Sequence, residues 1–147
     1  MKIGIKKYEE LTKEELYAIL KLRVDVFVVE QNCPYPELDD KDQIAIHVLG
    51  MKGLQIAAYT RVFKPNDYFD NYAAIGRIAT SDKFRNQNLG REIVKASIDY
   101  CWQEYRKDTV IKISAQMYLT AFYESFGFQI EGDEFLEDGI PHIHMTL

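Results

Sequence analysis

The stretch Ile75–Ile93, IGRIATSDKFRNQNLGREI, decides how this chain is read. A β-branched run through Ile75, Ile78 and Thr80 fits a strand, and the polar residues Ser81–Asn88 stop it. Leu89, Ile93, Ala96 and Tyr100 then recur at helical spacing, so a helix begins directly after the turn. A strand that turns straight into a helix start presents unpaired backbone N–H groups at the positive end of the macrodipole. Such a turn is suited to phosphate, and Arg85 and Arg91 add positive charge on either side of it. Converging N–H donors require unusual backbone angles. Gly90 is expected to adopt them freely, and Asn88 is the best non-glycine residue for the left-handed region. Taken alone, the stretch fits a plain strand–turn–helix connection about equally well.

Downstream, the helix is expected over Leu89–Arg106, its apolar stripe widened by Val94, Ile98, Cys101 and Trp102. Val110–Ala115 reads as a short strand and Tyr118–Phe126 as a short helix ended by Gly127 at C′. Phe128–Gly132 and Ile140–Leu147 read as closing strands joined by an acidic turn, with Glu137-Asp138-Gly139 as the hairpin. Upstream, Tyr72–Thr80 is one strand, and Ile44–Met51 and Leu54–Phe63 are two more, joined by Lys52-Gly53. Lys2–Tyr8 alternates like a first strand. Thr12 with Glu15 forms a capping box for a helix running to about Glu30, its last turns weakened by the β-branched run Val24–Val29. Gln31–Gln43 holds Asn32, Pro34, Pro36 and several carboxylates without apolar period, and reads as a long exposed loop. The order β-α-β-β-β-α-β-α-β-β predicts an α/β (α+β) fold, a largely antiparallel sheet of six to seven strands flanked by helices.

The bulk numbers narrow the function classes. A length of 147 residues suits a single domain spanning residues 1–147. Apolar residues make up 47% and charged residues 28%, as in an ordinary globular protein. A formal net charge of -5 argues against nucleic acid and anionic membranes as partners, whose phosphates need a basic surface. Cys33 and Cys101 lie far apart, with no metal-like spacing, which fits a reducing compartment. Met1-Lys2-Ile3 opens no signal peptide and no apolar run reaches membrane-spanning length, so a cytoplasmic location is expected.

Two segments together carry a resemblance. Arg85-x-x-Asn88-x-Gly90 after Ile78-x-Thr80 resembles the acetyl-CoA motif of the GCN5-related N-acetyltransferases (GNAT), Arg/Gln-x-x-Gly-x-Gly/Ala. Gln116–Phe128, QMYLTAFYESFGF, is similar to that superfamily's second signature, Asn-x-x-Ala-x-x-Leu-Tyr-x-x-x-Gly-Phe, and follows in the family's order. LRVDVFVVEQNCPYPELDDKD and FLEDGIPHIHM resemble its ElaA-like branch, so the likeness spans nearly the whole chain. Asn88 stands where the family has glycine, Gln116 where it has asparagine, and Leu119 where it has alanine.

The resemblance implies an acyltransferase that moves acetyl from acetyl-CoA to an amine of a small molecule or peptide, by direct attack in a ternary complex. It implies a sheet splayed at the cofactor strand. The main chain of Ile78, Ala79 and Thr80 would hold the pantetheine arm as an added strand, and the Ile78 N–H would polarise the thioester carbonyl. Arg85, Asn86, Gln87, Asn88, Leu89, Gly90 and Arg91 would hold the pyrophosphate. Gln116 would meet the pantetheine amide, and Tyr123 would act as general acid at the sulfur. No metal is implied. The departures at Asn88 and Gln116 leave a second reading, a catalytically silent CoA- or acyl-CoA-binding or sensing protein. Both monomer and homodimer remain open.

An ammonium acceptor must lose a proton before attack. The cofactor strand carries no carboxylate, since Ala74, Gly76 and Ala79 offer none and Arg77 is its one ionisable side chain. Candidate bases elsewhere are Glu30, Glu37, Asp39, Asp42 and His47, with a water chain as an equal alternative. The acidic cluster Glu37–Asp42 reads equally as a solvated loop that attracts cations. Arg23, Phe27 and Glu30 share one helical face, either shaping an acceptor site or forming an ordinary ion-paired face. His142 and His144 share a strand face by period two and, lacking a convergent third ligand, read as strand residues.

Overall fold

A split in the sheet organises this molecule. The computed structural model describes residues 1–147. Its strands are β1 (Lys2–Lys7), β2 (Ile46–Lys52), β3 (Gln55–Phe63), β4 (Ala73–Thr80), β5 (Ile111–Gln116), β6 (Gln129–Glu137) and β7 (Ile140–Thr146), ordered β1-β2-β3-β4-β5-β7-β6 in one sheet. The helices are α1 (Lys13–Val24), α2 (Leu89–Glu104) and α3 (Thr120–Glu124). Every neighbouring pair of strands is antiparallel except β4 and β5. Those two run parallel because α2 forms the crossover between them.

β4 and β5 pair only at Ala73–Ile111 and Ala74–Lys112, then diverge. The divergence has a local cause on the other side of β4. Tyr59 faces Ala79 while Arg61 faces Gly76, so β4 carries one residue more than β3 over this span. That extra residue falls around Arg77, whose φ is 52°. A bulge bends and twists its strand, and here it carries β4 away from β5. From Ile75 to Thr80, one edge of β4 therefore has no strand partner.

The two sheet faces bury different helices. Leu89, Ile93, Val94, Ile98 and Cys101 of α2 pack against Val48, Val62, Ile75, Ile113 and Met145. On the opposite face, Ile19 and Leu22 of α1 pack against Leu49, Tyr59 and Ala79. The capping box is formed: the Glu15 N–H donates to Thr12 Oγ1 and the Thr12 N–H to Glu15 Oε1, both at 3.0 Å. At the β-branched run, α1 widens into a π-helical turn over Asp25–Glu30 rather than ending. Such turns often mark functional sites.

Boundaries differ from expectation in two informative places. The strand expected from Ile44 begins at Ile46, after a 3-10 turn at Asp42–Ile44. β6 runs beyond Gly132 to Glu137 because a bulge, with Gly132 at φ 83°, absorbs the acidic residues without ending the strand. The reversal falls at Asp138-Gly139, both with positive φ, as a tight hairpin requires.

Candidate active site

Where β4 and β5 part, a cavity of about 370 Å³ opens, lined by Arg77 and Ile78 of β4, Gln116 of β5, Tyr123 of α3, Glu137 of β6 and His142 of β7. Beside it lies the turn into α2. Asn86 and Asn88 supply its left-handed backbone, at φ 64° and 62°. This corrects the role given to Gly90, which lies in the first turn of α2 and carries no positive φ. Asn is among the few non-glycine residues that adopt this region at small cost, so two asparagines do the work assigned to glycine.

No side chain caps α2, so its first amides remain without an intrahelical or capping partner. Leu89 anchors the helix start in the core at 2% exposure. A Cβ built on Gly90 meets Thr80 Oγ1 at 3.5 Å, an ordinary contact. The fold itself thus tolerates a side chain there, and glycine keeps the approach to the amides open. Gln87 is exposed beside them. An unpaired strand edge leading into an uncapped, glycine-opened helix start fits the phosphates and amide-bearing arm of coenzyme A.

The two arginines are engaged differently. Arg85 Nη1 and Nη2 donate to Glu30 Oε1 and Oε2, each at 2.6 Å. Arg91 Nη1 donates to Ser125 Oγ at 2.7 Å and its guanidinium lies 4.5 Å from the Phe126 ring centroid, tying α2 to the segment after α3. Ile78 and Thr80 are half-buried and Ala79 is buried against α1. Gln116 Nε2 donates to Gln31 Oε1 at 3.2 Å.

Tyr123 is 6% exposed, set edge-on to Phe122 and Phe128. Burial, with a smaller push from Tyr118, raises its phenol well above the usual tyrosine range. It keeps its proton at every physiological pH, which leaves the hydroxyl able to donate.

The expected bases are all occupied elsewhere. Glu30 is held by Arg85, whose hydrogen bonds lower its carboxyl. Glu37, 4% exposed, accepts from Arg23 Nε at 2.6 Å, from Arg77 Nε at 2.9 Å and from the Tyr35 hydroxyl. Asp42 accepts from Arg23 Nη1 at 2.7 Å and Arg61 Nη1 at 2.9 Å. Asp39 pairs with Arg61 Nη2 at 2.5 Å. The Asp42 carbonyl accepts from His47 Nε2 at 2.9 Å, which leaves Nδ1 to accept from the Tyr59 hydroxyl at 2.7 Å. His47 is fully buried, and that burial keeps it neutral. The acidic segment is therefore no solvated loop. Arg23 from α1, Arg61 from β3 and Arg77 from β4 draw Glu37 and Asp42 beneath the surface. Arg23, fully buried itself, belongs to this network and does not line the cavity, whereas Phe27 does.

Sequence reasoning passed over one pair at the cavity. His142, 6% exposed, lies opposite Gln116 in the β5–β7 ladder, and its Nε2 stands 3.3 Å from Glu137 Oε2. The period-two spacing put His142 on the correct face, but only the split between β4 and β5 reveals that this face meets a cavity. The two cysteines are placed differently. Cys101 is buried, and burial pushes its thiol up to about 12. Cys33 lines the cavity and donates weakly to the Asp138 carbonyl at 3.5 Å. No group of three His, Cys, Asp or Glu side chains comes together as a metal site.

A mixed sheet opened at its one parallel pair, with an uncapped helix start at the opening, defines the acyl-CoA N-acyltransferase class of fold. The chain belongs to the GNAT family, ElaA-like branch: the family described as "Acetyltransferase (GNAT) domain" matches residues 9–147. It is similar to Protein ElaA of Escherichia coli (strain K12), 39% identical over 141 residues that span 95% of this chain and 91% of that protein. The crystal structure of an acyl-CoA N-acyltransferase from Pseudomonas aeruginosa superposes with TM-score 0.92 at 36% identity, covering 99% of both chains. That of Escherichia coli ElaA gives 0.91 at 35%, again over 99% of both. Membership makes the protein an acyltransferase that passes an acyl group from a CoA-linked donor to an acceptor. No helix is long and apolar enough to cross a membrane.

Proposed function

We propose that residues 1–147 act as one N-acetyltransferase domain that moves acetyl from acetyl-CoA to an amine of a small molecule or peptide, by direct attack in a ternary complex. The observation that carries this reading is the unpaired edge of β4, which leads along the chain into the uncapped start of α2, with Ile78 and Tyr123 lining one cavity. Ile78–Thr80 offer main-chain groups to the pantetheine, and the Ile78 N–H faces the thioester oxygen as it gains charge. Asn86–Arg91 hold the pyrophosphate, with Arg85 at its edge. Gln116 turns from Gln31 to the pantetheine amide. Tyr123 donates a hydrogen bond to the departing sulfur. Since a thiol with pKa near ~8.5 is a fair leaving group, that hydrogen bond suffices without full proton transfer. A cytoplasmic supply of acetyl-CoA fits this role.

Acetyl-CoA binding only the folded protein must raise its melting temperature. At a hundredfold excess over Kd the gain is about 2.7 kcal/mol, or roughly 5–10 °C for a chain of this size. The companion experiment is a screen of small amines, polyamines and peptide N-termini for thiol release from acetyl-CoA. A melting shift with turnover on at least one amine is the expected result. No shift at saturating acetyl-CoA sinks the donor assignment, and tight binding without any turnover selects a silent acyl-CoA sensor instead.

A further inference from the structure

We infer that Glu137 and His142 form the acceptor half of the site and receive a primary ammonium group, Glu137 by ion pairing and His142 Nε2 by accepting its proton. This assignment rests on the acyl-transfer reading above and names where its second substrate binds.

The tautomer follows from the partners. His142 Nδ1 lies 2.6 Å from the Ile140 carbonyl oxygen, which can only accept. Nδ1 therefore carries a proton, and in the neutral ring Nε2 presents its lone pair. Glu137 Oε2 lies 3.3 Å from Nε2, close enough for one cation to meet both atoms. A carboxylate oxygen and an imidazole nitrogen side by side present two acceptors to a group rich in N–H donors. The ring is fixed by near-parallel stacking on Phe135, 28° between planes, and its side chain is 8% exposed. The Glu137 side chain is 45% exposed and connects the buried imidazole to solvent.

Position supports the role. His142 pairs with Gln116, the last residue of β5, at the open end of the split, so it borders the same cavity as Ile78 and Tyr123. Tyr118 and Asp138 are exposed at this end, and most of the other ionisable groups around it are held by partners or by burial. Arg77 is paired with Glu37 and Asp39, and Tyr35 donates to Glu37. Burial raises the phenols of Tyr68 and Tyr123. His144, next on the same face of β7, is kept neutral by burial and by Lys112, against the opposing pull of Glu131 and Glu137. Cys33 donates to the Asp138 carbonyl, and Asp138 itself is exposed in the hairpin.

The chemistry balances. An acceptor R–NH3⁺ gives one proton to Nε2 and frees its lone pair. The amine nitrogen attacks the thioester carbon, the C–N bond forms, and the C–S bond breaks with its electrons on sulfur. The nitrogen's surplus proton passes to the thiolate, giving amide and thiol. The proton on His142 leaves to solvent past Glu137.

The test uses n-butylammonium as probe and histidine ¹⁵N NMR on the intact protein. Saturating n-butylammonium is expected to shift the His142 Nε2 signal, whereas tetramethylammonium, which has no N–H to give, leaves it in place at equal ionic strength. Glu137→Gln, at a half-exposed side chain, should weaken that response about tenfold. With the fastest amine from the thiol-release screen, His142→Gln should lower kcat about a hundredfold, the scale of a lost general base. Its residual rate should climb with pH as the free-amine fraction grows towards the amine pKa of ~10.4. Both variants should keep the acetyl-CoA melting shift, which separates this assignment from the donor assignment and reports folding. A wild-type signal indifferent to n-butylammonium, or variants with unaltered amine kinetics, overturns the proposal. If His142→Gln does not fold, the Glu137→Gln titration decides alone.

Discussion

Arg85 grips Glu30 with both terminal guanidinium nitrogens, at 2.6 Å each, and so ties the turn before α2 to the end of the π-helical turn after α1. The two residues are 55 positions apart in sequence and both side chains remain partly exposed, at 39% and 46%. A carboxylate and a pyrophosphate compete for the same planar fork. With Arg85 at the pyrophosphate, as proposed, donor binding would be linked to the segment that leads into Gln31–Gln43.

The first prediction follows from that competition. Glu30→Gln should tighten acetyl-CoA binding by up to about fivefold, because exposed ion pairs are worth ~0.2–1 kcal/mol and tenfold in Kd is about 1.4 kcal/mol. The gain should fade at high salt as the Arg85 charge is screened. Titration calorimetry of both proteins at two ionic strengths measures it. Weaker binding by the glutamine variant would mean that Glu30 orients Arg85 for phosphate instead of withholding it.

The backbone of the turn before α2 gives the second. Asn88 sits at φ 62° as the residue before α2, without a side-chain bond to the helix. Asn88→Gly should cost almost no stability, whereas Asn88→Val should cost about 1–2 kcal/mol, since a β-branched residue pays the full left-handed penalty. Urea unfolding midpoints of the two variants distinguish them, and equal midpoints would remove the left-handed requirement.

Features fixed by neighbours along the chain were legible before the fold was known. Thr12 and Glu15 cap α1 through bonds that span three residues, and Gly127 closes the α3 segment with its N–H on the Glu124 carbonyl at 2.9 Å. The apolar stripe of α2 and the alternation of the strands likewise reflect period alone. What stayed hidden depends on distant partners. Glu37 and Asp42 look solvated until Arg23, Arg61 and Arg77, from three separate elements, converge on them. The bulge at Arg77 leaves no mark in its own strand, because it is a mismatch in count against β3. Glu137 and Ile140 flank the two-residue turn and His142 lies opposite Phe135, so the hairpin was readable, but the cavity beside it was not.

The third prediction concerns leaving-group assistance. Tyr123→Phe keeps the packing against Phe122 and Phe128 and removes only the hydroxyl. Acetyl-CoA affinity should change less than threefold, while kcat should fall roughly tenfold to a hundredfold, near the lower bound for a lost acid because the thiol leaves moderately well unaided. Steady-state kinetics with the best amine in the screen checks this. A loss confined to the KM for acetyl-CoA would make Tyr123 a binding residue.

The buried charge network predicts a definite acid response. Burial alone would raise the Asp39 carboxyl, but the hydrogen bonds and charge of Arg61, aided by Arg77, outweigh it and hold the group at about 2, below its ordinary 3.8. A group lowered in the folded state stabilises fully above its unfolded value and loses that contribution as pH falls through the folded one. The window for Asp39 is therefore about pH 4 down to 2, and the contribution at neutral pH is of order 2 kcal/mol, at 1.36 kcal/mol per unit. Asp39→Asn should be less stable than the parent at pH 7 by about that amount. Arg61 keeps its bond to Asp42 in the variant, which limits the loss to the Asp39 arm. Below pH 4 the parent's urea midpoint should drop more steeply than the variant's, and the two should meet near pH 2. Parallel curves across that window would show that Asp39 is no better stabilised as a carboxylate in the fold than in the unfolded chain, and the pairing with Arg61 would then carry no acid sensitivity.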